Sequence, residues 1–265
     1  MIQIGVLKNL PNFFSTKLMT TPAAAPQGYE WKQTDDGSWS LYSLHFQEAT
    51  HSSAGAWTET IVRYLVGCGI KESMSSQDAG GINVLEVGVG TGTGLVALLQ
   101  LFKNAPTNKK LSYLGLELDE NLILWMQNNI ETLVPSKFGP FDLGPIKELK
   151  KENEGFPMTS YRFNNDAITL EILVGDAKLT LPTWQSRNES KFDAIFQDAF
   201  SPKNNPDLWD EDWFSCLKSC CSGNGILSTF SAASKVKQAL ESSGWSIFEG
   251  PKFGNKRGST LARPK

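Results

Sequence analysis

Histidine and cysteine are scarce. The 265 residues hold two histidines, His45 and His51, and four cysteines, Cys68, Cys216, Cys220 and Cys221. No two cysteines form a C-x-x-C pair, so the ligand sets that define zinc sites are missing and no metal is expected. Four cysteines in a chain this long do not make a disulfide framework, and a reducing cytoplasm is the expected compartment. No apolar run approaches the roughly 20 residues that a membrane-spanning helix needs. Positive charge is not in excess: 25 Lys and Arg face 28 Asp and Glu, a net charge of −3. With no global basic field, a nucleic acid would need a local patch. What remains is the composition of an ordinary globular protein, long enough for one sizeable α/β domain.

Glycine is present where it matters. Val84-Leu85-Glu86-Val87-Gly88-Val89-Gly90-Thr91-Gly92-Thr93-Gly94 runs from an apolar strand through an alternating glycine turn into a helix pattern, Leu95 to Leu101. Glycines allow close backbone approach to a ligand, and the free N–H groups of a helix start favour a polar or negative group. The loop reads as a nucleotide-type cofactor site.

Residues 1–28 read as a flexible lead-in, linker-like at Thr20–Pro26, with Met19 as an alternative start. Alternation at Trp39, Leu41, Leu44 and Phe46 predicts a hairpin over 37–47. A polar segment from Glu48 then leads into a helix ending near Leu65. Strands are predicted at Asn83–Val87, Leu111–Glu117, Ile168–Val174, Phe192–Gln197 and Gly223–Thr229. Helix patterns separate them, and Trp245–Glu249 and Ser259–Ala262 close the chain as short strands. Residues 135–160 lack periodicity and read as an irregular insertion within a single domain over 29–265. This alternation defines a mostly parallel, doubly wound α/β sheet with a C-terminal antiparallel hairpin.

Four polar signals end four successive strands: the glycine loop, Glu117, Asp176 and Asp198. Such a fold brings them to one sheet edge, where ligands bind. The dinucleotide fingerprint G-x-G-x-x-G fails, because the sixth position from Gly88 is Thr93, and a P-loop would need Gly-Lys-Ser/Thr. Glu86 beside the loop would repel phosphate. It suits S-adenosylmethionine, which carries a sulfonium and an ammonium and no phosphate. Glu117 is placed for ribose hydroxyls and Asp176 for the adenine amino group, although either acid would serve equally as a helix cap.

On these residues the chain resembles the class I S-adenosylmethionine-dependent methyltransferases, which are Rossmann-like, over roughly residues 80–250. The stretch Asp198-Ala199-Phe200-Ser201-Pro202-Lys203-Asn204-Asn205-Pro206-Asp207-Leu208-Trp209 narrows the resemblance. It resembles the D-x-F-x-P-x-K-N-P-x-x-W segment in the methyltransferase part of the bifunctional tRNA wobble-uridine enzyme MnmC and its stand-alone, MnmD-like relatives. Further matches are His51-Ser52-x-x-Gly55-Ala56-x-x-Glu59, Thr229-Phe230-Ser231-Ala232-Ala233 and Gly250-Pro251-Lys252-Phe253-Gly254-Asn255-Lys256-Arg257. The family lysine aligns with Asn204, one position after Lys203, and Gly258 stands where an acid is common.

The resemblance implies N-methylation of the aminomethyl group of 5-aminomethyl-(2-thio)uridine at the wobble position, in the anticodon region of tRNA. It implies a cofactor site of Glu59, Glu86, Gly88, Gly90, Gly92, Glu117, Asp176 and Asp198. It makes Asp198 and Phe200 the catalytic pair and Trp209 a substrate contact, although the apolar side of the Trp209 helix equally suits core packing. It makes Lys203, Lys252, Lys256 and Arg257, supplemented by Lys235 and Lys237, a phosphate-contact strip, although composition alone suits an ordinary solvated face. The FAD-dependent oxidoreductase half of the bifunctional enzyme is not expected as a fused partner. The alternatives are a small-molecule, polyamine-type methyltransferase and a cofactor-binding protein without catalysis.

Overall fold

The computed structural model describes residues 21–76, 80–104, 109–134, 143–153, 155, 158–253 and 258–265. Two sheets organise them. Strands β1 (Tyr29–Gln33), β2 (Trp39–Ser43) and β3 (Glu48–Ala49) form a small antiparallel sheet in the order β1-β2-β3. The predicted hairpin strand is therefore β2, and its long partner is β1, upstream of the alternating stretch. Helix α1 (Ala56–Thr60) continues as a π-helical segment, Ile61–Val66, and α2 (Ile70–Ser75) follows.

The main sheet has nine strands in the order β11-β12-β10-β9-β4-β5-β8-β7-β6. They are β4 (Ile82–Val87), β5 (Leu111–Glu117), β6 (Lys150–Asn153), β7 (Thr159–Asn164), β8 (Ile168–Val174), β9 (Phe192–Gln197), β10 (Cys221–Thr229), β11 (Trp245–Glu249) and β12 (Thr260–Pro264). The five central strands, β10 to β8, run parallel. Both edges are closed by antiparallel pairs, β12 with β11 and β7 with β6. Helices α3 (Thr93–Asn104), α4 (Glu120–Asn129), α5 (Gly144–Lys147), α6 (Ala177–Gln185), α7 (Glu211–Cys220) and α8 (Ser234–Ser242) cover the sheet.

A two-residue period sorts the strand residues into two cores. Val84, Tyr113, Ile172 and Phe196 join one cluster with Leu95, Leu98 and Ile123. Their neighbours Leu85, Leu114, Leu173 and Ile195 join another with Leu181, Phe214 and Leu240. Strands buried on both faces read as near-continuous apolar runs, which is why the parallel strands were legible. Each fully buried aliphatic side chain contributes roughly 1.5–3 kcal/mol.

Two sequence expectations need correction. The 135–160 stretch is not wholly irregular. Among its described residues α5 forms a turn of helix, and β6 extends the sheet by pairing with β7. Every residue of β6 is exposed, so its sequence, Lys-Lys-Glu-Asn, carries no apolar alternation to read. The described end of the lead-in is docked. Ala24 O accepts from the Trp125 indole at 2.7 Å, Ala23 O accepts from the Trp31 indole at 2.8 Å, and Pro22 and Pro26 are buried. Residues 1–20, with Met19, lie outside the described residues. Among the described residues no helix is long and apolar enough to cross a membrane.

Sheet order explains where a ligand goes. From β4 the chain builds outward through β5 to β8, then returns to place β9 on the other side of β4. The crevice at the carboxyl ends of β4 and β9 is the switch point of an open α/β sheet. Trp213 of α7 packs beneath it, 1% exposed, and its indole donates to Gln197 Oε1 at 3.1 Å. Trp213→Ala removes both the packing and the bond. Denaturant unfolding should show a loss of about 3–5 kcal/mol, with Trp213→Phe losing clearly less.

Candidate active site and cofactor pocket

A cavity of about 320 Å³ opens over the carboxyl ends of the central strands. Its floor is the glycine loop. Gly88 has a left-handed backbone, φ +88°, and a Cβ there would lie 2.8 Å from the Asp198 carbonyl. Only glycine lets the loop after β4 pass this close to the chain after β9. The Gly88 N–H donates to Leu116 O at 2.9 Å and the Gly90 N–H to Glu117 Oε2 at 2.8 Å, so the loop is tied to β5. The glycine demanded by packing against β4 is Gly94. A Cβ there would collide with the Glu86 carboxylate, which sits under the first turn of α3.

Eight acids line the cavity against one lysine, Lys178, whose Nζ is bound to Asp210 Oδ2 at 2.8 Å. Glu86 is 2% exposed and accepts from the Tyr113 hydroxyl at 2.5 Å. Burial, reinforced by the charge of Glu117, pushes its pKa up to about 8 against the pull of the tyrosine bond. Glu117 accepts from Gly90, Leu118 and Asp119 N–H groups, yet burial holds its pKa above the usual range. Tyr29 of β1 leans over this end, its phenol shifted upward by burial and by Asp119 and Glu117.

The other end belongs to Asp198. Its backbone N–H donates to Val87 O at 3.0 Å, which completes the β4–β9 junction. The Tyr64 hydroxyl donates to Asp198 Oδ1 at 2.5 Å. Burial raises the Asp198 pKa well above the carboxylate range. The Tyr64 bond opposes this, the charges of Glu86 and Glu59 add to it, and Arg63 opposes it. Tyr64 reaches this position from the π-helical segment, one residue after Arg63. Arg63 Nε binds Glu59 Oε1 at 2.7 Å, with both side chains buried. Burial would raise the Glu59 pKa, but the Ser52 N–H, at 2.6 Å, together with His51 and Arg63, brings it below the usual range. An ionised Asp198 in such surroundings is a strong proton acceptor, and the acid set attracts cations.

The residues expected from sequence divide as follows. Glu59, Glu86, Gly88, Gly90, Glu117, Asp176, Asp198 and Phe200 all line the cavity. Asp176 is also the cap of α6, accepting from Lys178 N–H at 2.9 Å. Gly92 is not part of the lining; it packs on Met126 of α4. Trp209 is corrected from a substrate contact to a wall residue. It is 4% exposed, and its indole donates to Phe200 O at 2.8 Å from behind the cavity. Burying its large apolar ring against Phe214 and Phe230 outweighs exposure at the mouth. Lys203 and Lys252 are exposed and outside the lining, and Lys252 Nζ lies 3.6 Å from Glu249. Lys256 and Arg257 lie outside the described residues. Sequence reasoning missed Tyr29, Phe46, Glu48 and Tyr64, which belong to elements with no motif of their own.

The residues present fit S-adenosylmethionine. The loop offers open space above Gly90, acids line the cavity where a cationic ligand would lie, and among the described residues no lysine or arginine stands at the loop for a phosphate. Comparison with known proteins agrees. Residues 146–265 match a family described as S-adenosyl-L-methionine-dependent methyltransferase. The solved structure of MnmC2 from Aquifex aeolicus superposes with a TM-score of 0.68 at 24% identity, covering 94% of this chain and 73% of that one. Spermidine synthase from Thermotoga maritima shares the fold at a TM-score of 0.50 and 10% identity, over 92% and 71%. The fold is the one shared with MnmC2, and over residues 146–265 the chain is similar to S-adenosyl-L-methionine-dependent methyltransferases.

Among curated proteins the chain is similar to the MnmC type that its sequence resembles. It is 28% identical over 237 residues to the tRNA 5-methylaminomethyl-2-thiouridine biosynthesis bifunctional protein MnmC of Pseudomonas syringae pv. tomato, covering 84% of this chain and 34% of that protein. An uncharacterized protein of Methanocaldococcus jannaschii is 27% identical over 235 residues, 87% of this chain and 58% of its own length. The chain thus spans about a third of the length of the bifunctional relative.

Glu86 gives a pH test of the ligand-free pocket. Its carboxyl titrates near 4.5 in an unfolded chain and near 8 here. The stability associated with its protonated form is complete below about pH 4.5 and is lost as pH rises through about 8. Urea unfolding between those limits should show wild type losing, relative to Glu86→Gln, on the order of a few kcal/mol. Parallel curves for the two proteins would contradict a buried, proton-retaining Glu86.

Proposed function

We propose that the chain methylates the aminomethyl nitrogen of 5-aminomethyl-(2-thio)uridine at the tRNA wobble position, giving 5-methylaminomethyl-(2-thio)uridine. The observation that carries this reading is the placement of Asp198 against the glycine loop, two residues before a cavity-lining phenylalanine. The names of the MnmC relatives supply the acceptor class. S-adenosylmethionine, when bound, supplies a methyl group activated as a sulfonium.

The chain's own residues do the rest. Gly88 and Gly90 hold the loop open, and Glu86 and Glu117 line the donor end with carboxyls whose pKa values burial raises, so that a bound cation favours their ionised form. An acceptor amine attacks only as the free base. Asp198, oriented by Tyr64, takes the hydrogen bond and then the proton. Most of the acceleration comes from holding donor and acceptor in line.

The polyamine alternative shares the need for acids, and the lining supports an amine of either kind. Lys203 and Lys235 are exposed, and the sequence adds Lys256 and Arg257 as cations that would suit a polyanion. No polyamine-type reading needs that strip.

Transfer of tritiated methyl to bulk tRNA lacking the final methyl, followed by nucleoside analysis, tests the reading. Label should enter wobble uridine, and label confined to free polyamine would overturn the proposal. Asp198→Asn should lower kcat by about 10²- to 10⁴-fold while cofactor affinity stays within a few-fold, as a calorimetric titration reads it. Reversing the charges at Lys256 and Arg257 should weaken tRNA binding and flatten its log–log salt dependence by about one unit per lost contact. Cofactor affinity should be unmoved.

A further inference from the structure

The turn between β2 and β3 grips the Asp198 loop from above. Phe46 stacks on Phe200, with ring centroids 4.3 Å apart and planes at 25°. His45 meets Phe46 edge-on at 4.7 Å. Two residues on, Glu48 Oε2 accepts from Ser201 N–H at 3.2 Å, from Ser201 Oγ at 2.8 Å and from Asn204 Nδ2 at 2.8 Å. Gln47, between the two contacts, has a left-handed backbone, φ 51°, the one positive φ outside glycine among the described residues. Such a conformation costs roughly 1–3 kcal/mol and persists where its surroundings over-determine it. Here those surroundings are the Phe46 stack and the Glu48 bonds.

The Asp198 loop is thus held from both sides. The Trp209 indole binds Phe200 O from below, while Phe46 covers part of the Phe200 ring from above. Phe46, Glu48, Asp198 and Phe200 all line the cavity, and both rings are only half-buried. This makes a rigid aromatic step two residues from the proton acceptor. An aliphatic amine has no use for it. A planar base carrying an amine on a one-carbon arm does, because stacking would fix the ring while the arm reaches Asp198.

We propose that Phe46, with Phe200, is the stacking platform for the acceptor base, and that Glu48 is a positioning residue that sets the platform against Asp198. The proposal rests on the tRNA reading and adds how the site selects a planar acceptor over an aliphatic amine. The role falls to the small N-terminal sheet, an element outside the methyl-donor fold.

Steady-state methyl transfer to undermethylated tRNA tests it, with cofactor affinity measured separately by calorimetry. Phe46→Ala should raise the KM for tRNA about 5- to 150-fold, the range for losing one base–aromatic stack, with cofactor affinity within about twofold. Phe46→Tyr should stay close to wild type. Should the alanine variant not fold, Phe46→Leu keeps the apolar bulk, removes the ring and is read in the same way.

Glu48→Ala should raise the KM and lower kcat together. Glu48→Gln, which retains an acceptor oxygen for the same donors, should recover most of both. A Phe46→Ala KM within about twofold of wild type overturns the platform. So does a loss of cofactor affinity equal to the loss of acceptor affinity, which would make the turn plain scaffolding. Failure of the glutamine rescue overturns the role of Glu48. Wild-type enzyme that leaves tRNA unlabelled overturns the functional reading itself and the platform with it, an outcome distinct from the others.

Discussion

Everything at this site depends on how closely two strand ends approach. The Gly88 backbone passes the Asp198 carbonyl with no room for a side chain, and the Asp198 N–H closes on Val87 O. That contact joins the glycine loop to the Asp198 loop. It exists because β9 is inserted beside β4, at the point where strand order reverses. A side chain at position 88 would push the two loops apart and lengthen the path of the methyl group. An ångström-scale misplacement is enough to cost about two orders of magnitude in rate.

The second constraint is electrostatic. Acids crowd the cavity, and among the described residues one buried cation, Arg63, is shared by them. It pairs with Glu59 through Nε, while its Nη1 has no hydrogen-bond partner among the described residues. Burial raises the carboxyl pKa of Glu86, to about 8, and those of Glu117 and Asp198 above the usual range. Burial therefore favours the protonated form of these three groups over its ordinary share. A cationic ligand reverses that balance, because its charge replaces the proton. Selectivity for cations follows from burial without a fixed excess of charge, which avoids the full cost of packing ionised acids side by side.

Legibility followed burial. Strand β10 begins two residues before the expected Gly223, through a polar Cys-Ser-Gly-Asn-Gly stretch, whereas β4, β5, β8 and β9 are largely apolar and were readable to within a residue. Strand β6, exposed throughout, was not, because its stability comes from backbone pairing with β7, which leaves no trace in side-chain pattern. Trp209 shows the opposite error. Its apolar helix side fitted core packing, and a motif match moved it to the substrate; the bond from its indole to Phe200 O makes it a support instead. Glu48, Phe46 and Tyr64 could not be chosen from sequence. Each acts through a partner more than 130 positions away in the chain: Glu48 on Ser201, Phe46 on Phe200, and Tyr64 on Asp198.

By itself the sequence determined the donor side: a glycine loop after a buried strand, Glu86 before it, and acids closing the next strands. These are local features, each carried within a few residues and governed by backbone freedom and periodicity. Only the tertiary structure decided the acceptor side. Which tryptophan supports and which phenylalanine faces the cavity, which acid is paired and which keeps its proton, all depend on long-range neighbours. So does the use of the small N-terminal sheet as one wall of the cavity. Burial and partner identity set both pKa and exposure, and neither is a property of a residue's place in the chain.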